Sequence, residues 1–371
     1  MTVKERNSNF EFLRIIMMLL IVFHHSIVHG VIPQGPKLIF TLNRIWIHDF
    51  ICSCFAMFGK MGVVVFVMIS GFFLVKSNFS YGKMLSKVLK IIIQVYFYSL
   101  LIFLFTCYFH LIPINVHVIL QAVFPFFYNT YWFALDYLLL YLVYPYINIL
   151  INNLTQKQHL ILILILMSCF TIVPLFVSSF VSNSTLEAFI LFVMFYIIGS
   201  YIRLYPIKNT LFDKKMGKFI FFITIVVTIL LILLNVYLGQ YIGNISFIDE
   251  GFNITGQYSF LTIIMAVSLM YWVKNWRPHT SKTINFISAT TFGVYLIHDN
   301  PITETVLWNN WLHMPTLFME PTLHLILVVL VVCPIVFIVC SLIDSLRLII
   351  FNFVQKFFVV KSNWRIQNNV K

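Results

Sequence analysis

Arg14 and His25 are the first pair whose types and spacing suit chemistry. A guanidinium holds anionic or carbonyl oxygens, and an imidazole gains or loses a proton near neutral pH. The two lie eleven positions apart in one apolar run. At about 100° per residue, eleven steps come close to three full helical turns, so the side chains share a face within roughly 20° and stand about 16 Å apart along the axis. His24 points about 80° away. The stripe from Arg14 to His25 could follow a long thin ligand. Alternatively, Arg14 snorkels to lipid headgroups or pairs with Glu11 one turn away, and His25 rests at the interface. Insertion scales charge roughly 2.5 to 3.5 kcal/mol for an Arg at mid-span, which makes Arg14 a functional candidate.

Other polar residues interrupt apolar stretches. His298 closes one, as His25 does, and Asp136 lies one turn beyond Trp132 inside another. Lys83, Lys87 and Lys90 follow at spacings of four and three, on one helical face. They read first as positive-inside anchors and also allow phosphate binding, although Lys is a point charge and not a bidentate fork. Ser70 and Gly71 fit close helix packing better than nucleophilic chemistry. Trp46, Trp132, Trp308 and Trp311 read first as an interfacial belt, although sugars also stack on such rings.

The elements that position these groups follow from composition. The chain has 371 residues, 61% hydrophobic and 10% charged, with a mean hydropathy of +0.95. A water-soluble globule and a disordered chain are both excluded. The six Cys show neither zinc spacing nor the density of a disulfide scaffold. About ten stretches reach the length needed to cross hydrocarbon, at approximately 10–28, 59–75, 89–111, 131–150, 160–181, 187–204, 219–238, 258–273, 284–298 and 324–346. Alternating short strands are absent from the pattern, so the expected fold is an all-α, polytopic helical bundle and not a β-barrel.

Threading these spans alternately places 20 of the 24 Lys and Arg residues on one side. Cytoplasmic loops collect such residues, so both termini are expected to be cytoplasmic. Lys37, Arg44 and Lys60 fall to the outer side, where Asp49, Asp249, Glu250, Asp299, Glu304 and Glu320 also lie. The net charge of +12 is then topology, and nucleic acid is not an expected partner. No loop is long enough for a soluble domain, so residues 1–371 are expected to form one transmembrane domain with a basic tail at 347–371.

Five segments together resemble the membrane-bound acyltransferase family of the acyltransferase-3 type. Phe12-Leu13-Arg14 through His24-His25-Ser26 is similar to the opening motif, an Arg followed after ten residues by His. Phe66-Val67-Met68-Ile69-Ser70-Gly71-Phe72-Phe73-Leu74 resembles the Phe-Phe-x-x-Ser-Gly-(Phe/Tyr)-Leu-Leu segment. Tyr131-Trp132-Phe133 leading to Tyr141-Leu142-Val143-Tyr144-Pro145, and Tyr196 through Gly199 to Arg203, resemble two further helices. Thr291-Phe292-Gly293-Val294-Tyr295-Leu296-Ile297-His298 is similar to the Ser-Phe-Gly-Ile-Tyr-Leu-x-His signature. The chain departs from the family where several Arg often follow the Ser-Gly segment; Lys83, Lys87 and Lys90 stand there instead.

The resemblance implies transfer of an acyl group, most often acetyl, from cytoplasmic acyl-CoA to a hydroxyl of a carbohydrate acceptor outside a bacterial plasma membrane. Acetyl-CoA is then the donor, and no metal is implied. His25 would be the base or the transient acyl carrier, Arg14 would hold the donor or stabilise charge, and His298 would be a second catalytic or orienting group. Lys83, Lys87, Lys90 and Arg203 would bind the donor, and Asp136 and Trp132 the acceptor. Some members carry an extracellular hydrolase-like domain, so transfer here is expected to be direct or to use a separate envelope protein. A transporter or flippase for a lipid-linked saccharide would use buried Arg14 and Asp136 as well, and a scaffold would need neither.

Overall fold

The computed structural model describes residues 7–32, 45–77, 80–176, 185–206, 210–242 and 254–368. The loop charges Lys37, Arg44, Asp249 and Glu250 lie outside them, as do the side chains of Lys356, Lys361, Arg365 and Lys371 in the basic tail. Helices account for every regular element among the described residues. The principal ones are α1 (Ser8–His25), α2 (Ile45–Leu74), α3 (Tyr81–Phe109), α4 (Val116–Val123), α5 (Trp132–Asn152), α6 (Gln156–Met167), α7 (Thr185–Leu204), α8 (Thr210–Ile242), α9 (Phe260–Lys274), α10 (Lys282–His298) and α11 (Thr322–Asn368).

Seven of these are long and apolar enough to cross a membrane. Gln156–Ile172 and Phe260–Lys274 are shorter apolar helices, and α10 carries the polar run Ser288, Thr290, Thr291. The chain is an all-α polytopic membrane bundle. Helices α1, α2 and α7 have 56–61% of their apolar windows buried and form the centre, whereas α3, α8 and α11 have only 22–28% buried. Their outer faces expose Leu104, Phe105, Leu230, Leu327 and Leu330, as a lipid-facing surface requires.

The central helices approach closely where side chains are smallest. A Cβ at Gly71 of α2 would overlap the Tyr196 carbonyl oxygen of α7, and a Cβ at Gly199 of α7 would overlap the Met68 carbonyl oxygen of α2. Small residues let membrane helices meet backbone to backbone. Ser200 Oγ donates to the Gly71 carbonyl at 3.3 Å across this crossing. Ser70 Oγ lies 2.6 Å from Tyr137 Oη of α5, which makes it a packing residue here.

A second polar clasp joins α3 and α11. Buried Asp344 accepts from Tyr98 Oη at 2.6 Å and pairs with Arg347 at 2.6 and 3.1 Å. Gly293 of α10 leaves the room this carboxylate occupies.

Two elements differ from the sequence reading in ways that matter for the site. The span expected at 59–75 is the second half of the 30-residue α2, so Lys60 lies inside a helix and not in an outer loop. Beyond α1, residues Ser26–Val31 wind as a wider π-helical turn, a geometry common at functional sites.

Candidate active site

Helix α1 starts at Asn7, whose side chain caps the Asn9 N–H, and runs unbroken through Arg14 to His25. The expected stripe forms as helix geometry dictates: both residues line one cavity of about 240 Å³. A second cavity, of about 550 Å³, lies at the end where α1 finishes and holds His29, Asn129, Asp299 and Glu304. His24, His25, Lys60 and Trp132 line both. His25 therefore stands where two spaces meet.

The tautomer of His25 follows from its partners. His298 Nδ1 lies 2.6 Å from the Val294 carbonyl oxygen, which can only accept, so Nδ1 carries the proton. A neutral His298 then presents Nε2 as an acceptor, 2.9 Å from His25 Nδ1. Asp299 Oδ1, a second acceptor, is 3.0 Å from the same nitrogen. His25 Nδ1 accordingly donates to His298 Nε2, with the Asp299 carboxylate 3.0 Å from the same nitrogen, and His25 Nε2 keeps its lone pair. A lone pair held ready on Nε2, with a carboxylate behind Nδ1, is the arrangement of a general base whose imidazolium is stabilised as it forms.

Asp299 is tied further into the second cavity. His29 Nε2 lies 3.8 Å from Asp299 Oδ1 and 3.5 Å from Glu304 Oε1. Burial, followed by the neighbouring Asp299 charge, pushes the Glu304 carboxyl up to about 8. At neutral pH Glu304 is thus mostly protonated; burial raises the Asp299 carboxyl too, against the pull of His298, His29 and Lys60. Donor atoms of His25, His29 and Asp299 lie within 4.8 Å of one another, close enough to share a divalent cation. Those atoms are already engaged with one another and with His298.

Arg14 makes the expected pair with Glu11 and also lines the first cavity. Its Nη1 pairs with Glu11 at 3.0 and 3.1 Å, and Glu11 in turn accepts from Ser288 Oγ of α10 at 2.5 Å. One of three guanidinium nitrogens is so engaged, and the side chain still lines the cavity. Lys87 Nζ sits 5.2 Å from the centroid of Tyr141, another lining residue, and Arg203 lies 4.9 Å from Phe72, which packs on Phe10. Arg14, Lys87 and Arg203 therefore gather at the end of the bundle where α1 begins. Lys83, Lys90 and Arg203 are exposed there.

These contacts occur in a recognised sequence frame. The acyltransferase-3 family model, described as an acyltransferase domain, matches residues 7–345. The chain belongs to the acyltransferase-3 family. It is a membrane acyltransferase. No curated protein and no solved structure matches it.

Within this acyltransferase, the structure brings Arg14, His25 and Trp132 to the cavities, with Lys87 bordering the first; His298 lines neither and stands behind His25 at 2.9 Å. Asp136 stands apart: it is fully buried, lines neither cavity, and neither carboxylate oxygen has a hydrogen-bond partner among the described residues. Trp308 is fully buried and so belongs to the core and not to an interfacial belt. Sequence reasoning missed three residues. Asp299 and Glu304 resembled ordinary outer-loop acids, although Asp299 directly follows His298 at the helix end. Lys60 resembled a loop charge because it broke the apolar window; reading 45–74 as one span with an internal Lys would have found it.

His24 explains the local packing. Its Nδ1 lies 2.9 Å from the Ala56 carbonyl of α2, and Gly59 leaves space for its ring. Helix α1 is thereby pressed onto α2 one residue away from His25, which fixes the orientation of the His25 ring.

Proposed function

We propose that this acyltransferase moves an acetyl group from acetyl-CoA on the cytoplasmic side of a bacterial plasma membrane to a hydroxyl of a carbohydrate acceptor on the outer side. The observation that carries this reading is that two cavities, one beginning at Arg14 and one holding Asp299 and Glu304, meet at His25. The weight of basic residues assigns the start of α1 to the cytoplasm. Lys87 and Arg203 then receive the nucleotide phosphates, while the pantetheine arm follows the first cavity past Arg14. The acceptor enters the second cavity, with Trp132 as a ring on which a sugar can stack.

Transfer is direct. The acceptor hydroxyl gives its proton to His25 Nε2 as its oxygen attacks the thioester carbonyl carbon. The new C–O bond forms, the tetrahedral oxyanion collapses, the C–S bond breaks, and His25 returns the proton to the CoA thiolate. Asp299 stabilises the imidazolium between those steps, and His298 holds the Nδ1 side of the ring.

The test is transfer of label from radiolabelled acetyl-CoA to envelope carbohydrate in membranes holding matched amounts of wild type, His25→Ala and Arg14→Ala. Label with wild type and its loss in both variants is the expected result. Undiminished labelling by His25→Ala overturns the assignment of the base, and no labelling by folded wild type turns the reading toward transport without acyl transfer.

A further inference from the structure

Lys60 is a cation in the middle of the 30-residue α2. A lysine at that depth is costly and calls for a reason. Among the described residues it has no hydrogen bond and no ion pair within 4 Å; its close partner is the face of Trp132, 5.1 Å from Nζ to the ring centroid. It lines both cavities, as His25 does, so it stands at their junction. Its electrostatic neighbours are Asp299, His25, His24 and His29. A lysine kept only to neutralise Asp299 would close to ion-pair distance. This one is held short of it, with its ammonium donors left to the space between donor and acceptor.

We propose that Lys60 is the electrophilic catalytic residue of the transfer, donating from its ammonium to the thioester carbonyl oxygen and holding the charge that develops there. The inference rests on the acyl-transfer reading above. As the acceptor oxygen bonds to the carbonyl carbon, the C=O π electrons move onto oxygen beside Lys60, and the hydroxyl proton goes to His25 Nε2. When C=O re-forms, the C–S bond electrons leave with sulfur, and Lys60 keeps its proton throughout. Trp132 holds the ammonium over its negative face without taking up a donor in an ion pair, which leaves the cation available at the moment of reaction.

The experiment uses the full-length enzyme in lipid nanodiscs with Lys60→Met, Lys60→Gln and Lys60→Arg. Three readouts are taken: the rate of label transfer from acetyl-CoA to envelope carbohydrate, the affinity for free CoA, and the infrared stretch of bound acetyl-CoA carrying a ¹³C carbonyl. Removing one preorganised oxyanion donor costs roughly 10²- to 10³-fold in kcat, so Lys60→Met and Lys60→Gln fall by that factor, with CoA affinity retained. The carbonyl stretch is lowered in wild type, not in Lys60→Met, and is partly lowered again in Lys60→Arg together with partial recovery of rate. Retained CoA binding shows that a variant is folded; should Lys60→Met not fold, the same comparison is made with Lys60→Gln and Lys60→Arg. Near wild-type kcat in either neutral variant, a carbonyl stretch that does not respond to Lys60, or a change confined to acceptor KM overturns the proposal. Absence of transfer by wild type instead sinks the acyl-transfer reading, so the two failures are distinct.

Discussion

Replacing Asp299 by Asn removes a charge while leaving an oxygen in the same place beside His25 Nδ1. The perturbation is therefore electrostatic more than geometric. Asp299 Oδ1 and His25 Nδ1 are 3.0 Å apart and both residues are buried. Unit charges at that separation attract by roughly 5 kcal/mol at an effective dielectric of about 20. Spreading of each charge over its group and the opposing field of Lys60 reduce this to about 3 kcal/mol, which is roughly 100-fold in rate. The assay is steady-state acetyl transfer with acetyl-CoA varied, on membranes carrying matched enzyme. The expected outcome is a kcat about two decades lower with an acetyl-CoA KM little changed, because Asp299 lines only the cavity remote from Arg14. A double-mutant cycle with His25→Ala should show that the second substitution adds almost nothing. Additive losses, a kcat within threefold of wild type, or an effect wholly in acetyl-CoA KM would refute the pairing of Asp299 with the base.

Other perturbations have equally definite outcomes. Glu304 keeps a proton in the folded protein up to about pH 8, whereas an ordinary Glu releases it near 4.3. Its stabilising contribution is complete below that ordinary value, shrinks as pH climbs toward 8, and is absent above; Glu304→Gln should remove this slope and raise the unfolding temperature at pH 8. A thermal scan in detergent from pH 5 to 9 checks it, and an unchanged slope contradicts it. Arg14→Ala should weaken binding of free CoA, measured by titration, while Asp299→Asn should not. Asp344→Asn strands buried Arg347 and should destabilise the bundle by about 3 to 5 kcal/mol, read as a fall in unfolding temperature without a selective loss of CoA affinity.

The legible part of this protein was whatever helical periodicity and apolar length dictate. Arg14 and His25 could be placed on one face because eleven residues of straight helix leave little freedom. Each expected span falls on a helix, seven of them long and apolar enough to cross a membrane, with boundaries moving most where a charge sits inside a helix, as at Lys60. Tertiary proximity was not legible. His25 and His298 lie 273 positions apart, and nothing in either segment states that their rings meet. Asp299 follows the last residue of α10, where a carboxylate is normally solvated; only the packing of α1 against α10 turns it toward His25. Asp136 shows the converse. Its position one turn beyond Trp132 puts it within about 40° of the same face, yet Trp132, Phe133 and Tyr137 reach the first cavity and Asp136 does not, a distinction that helix periodicity alone does not make.

The crossing of α2 and α7 at Gly71 and Gly199 has a mechanical meaning. Packed helices usually accommodate domain motion by sliding a little along side-chain ridges. Here the ridges are missing and peptide groups touch directly, so a shift of one residue would drive a Cβ into the opposing backbone. The two helices must travel as one body, and α1, pressed onto α2 through His24 and Gly59, travels with them. Arg14, His25 and Lys60 are thereby fixed in one frame. Such a frame does not rock its two ends open in turn. It moves as a unit, and sliding is left to the peripheral helices around it.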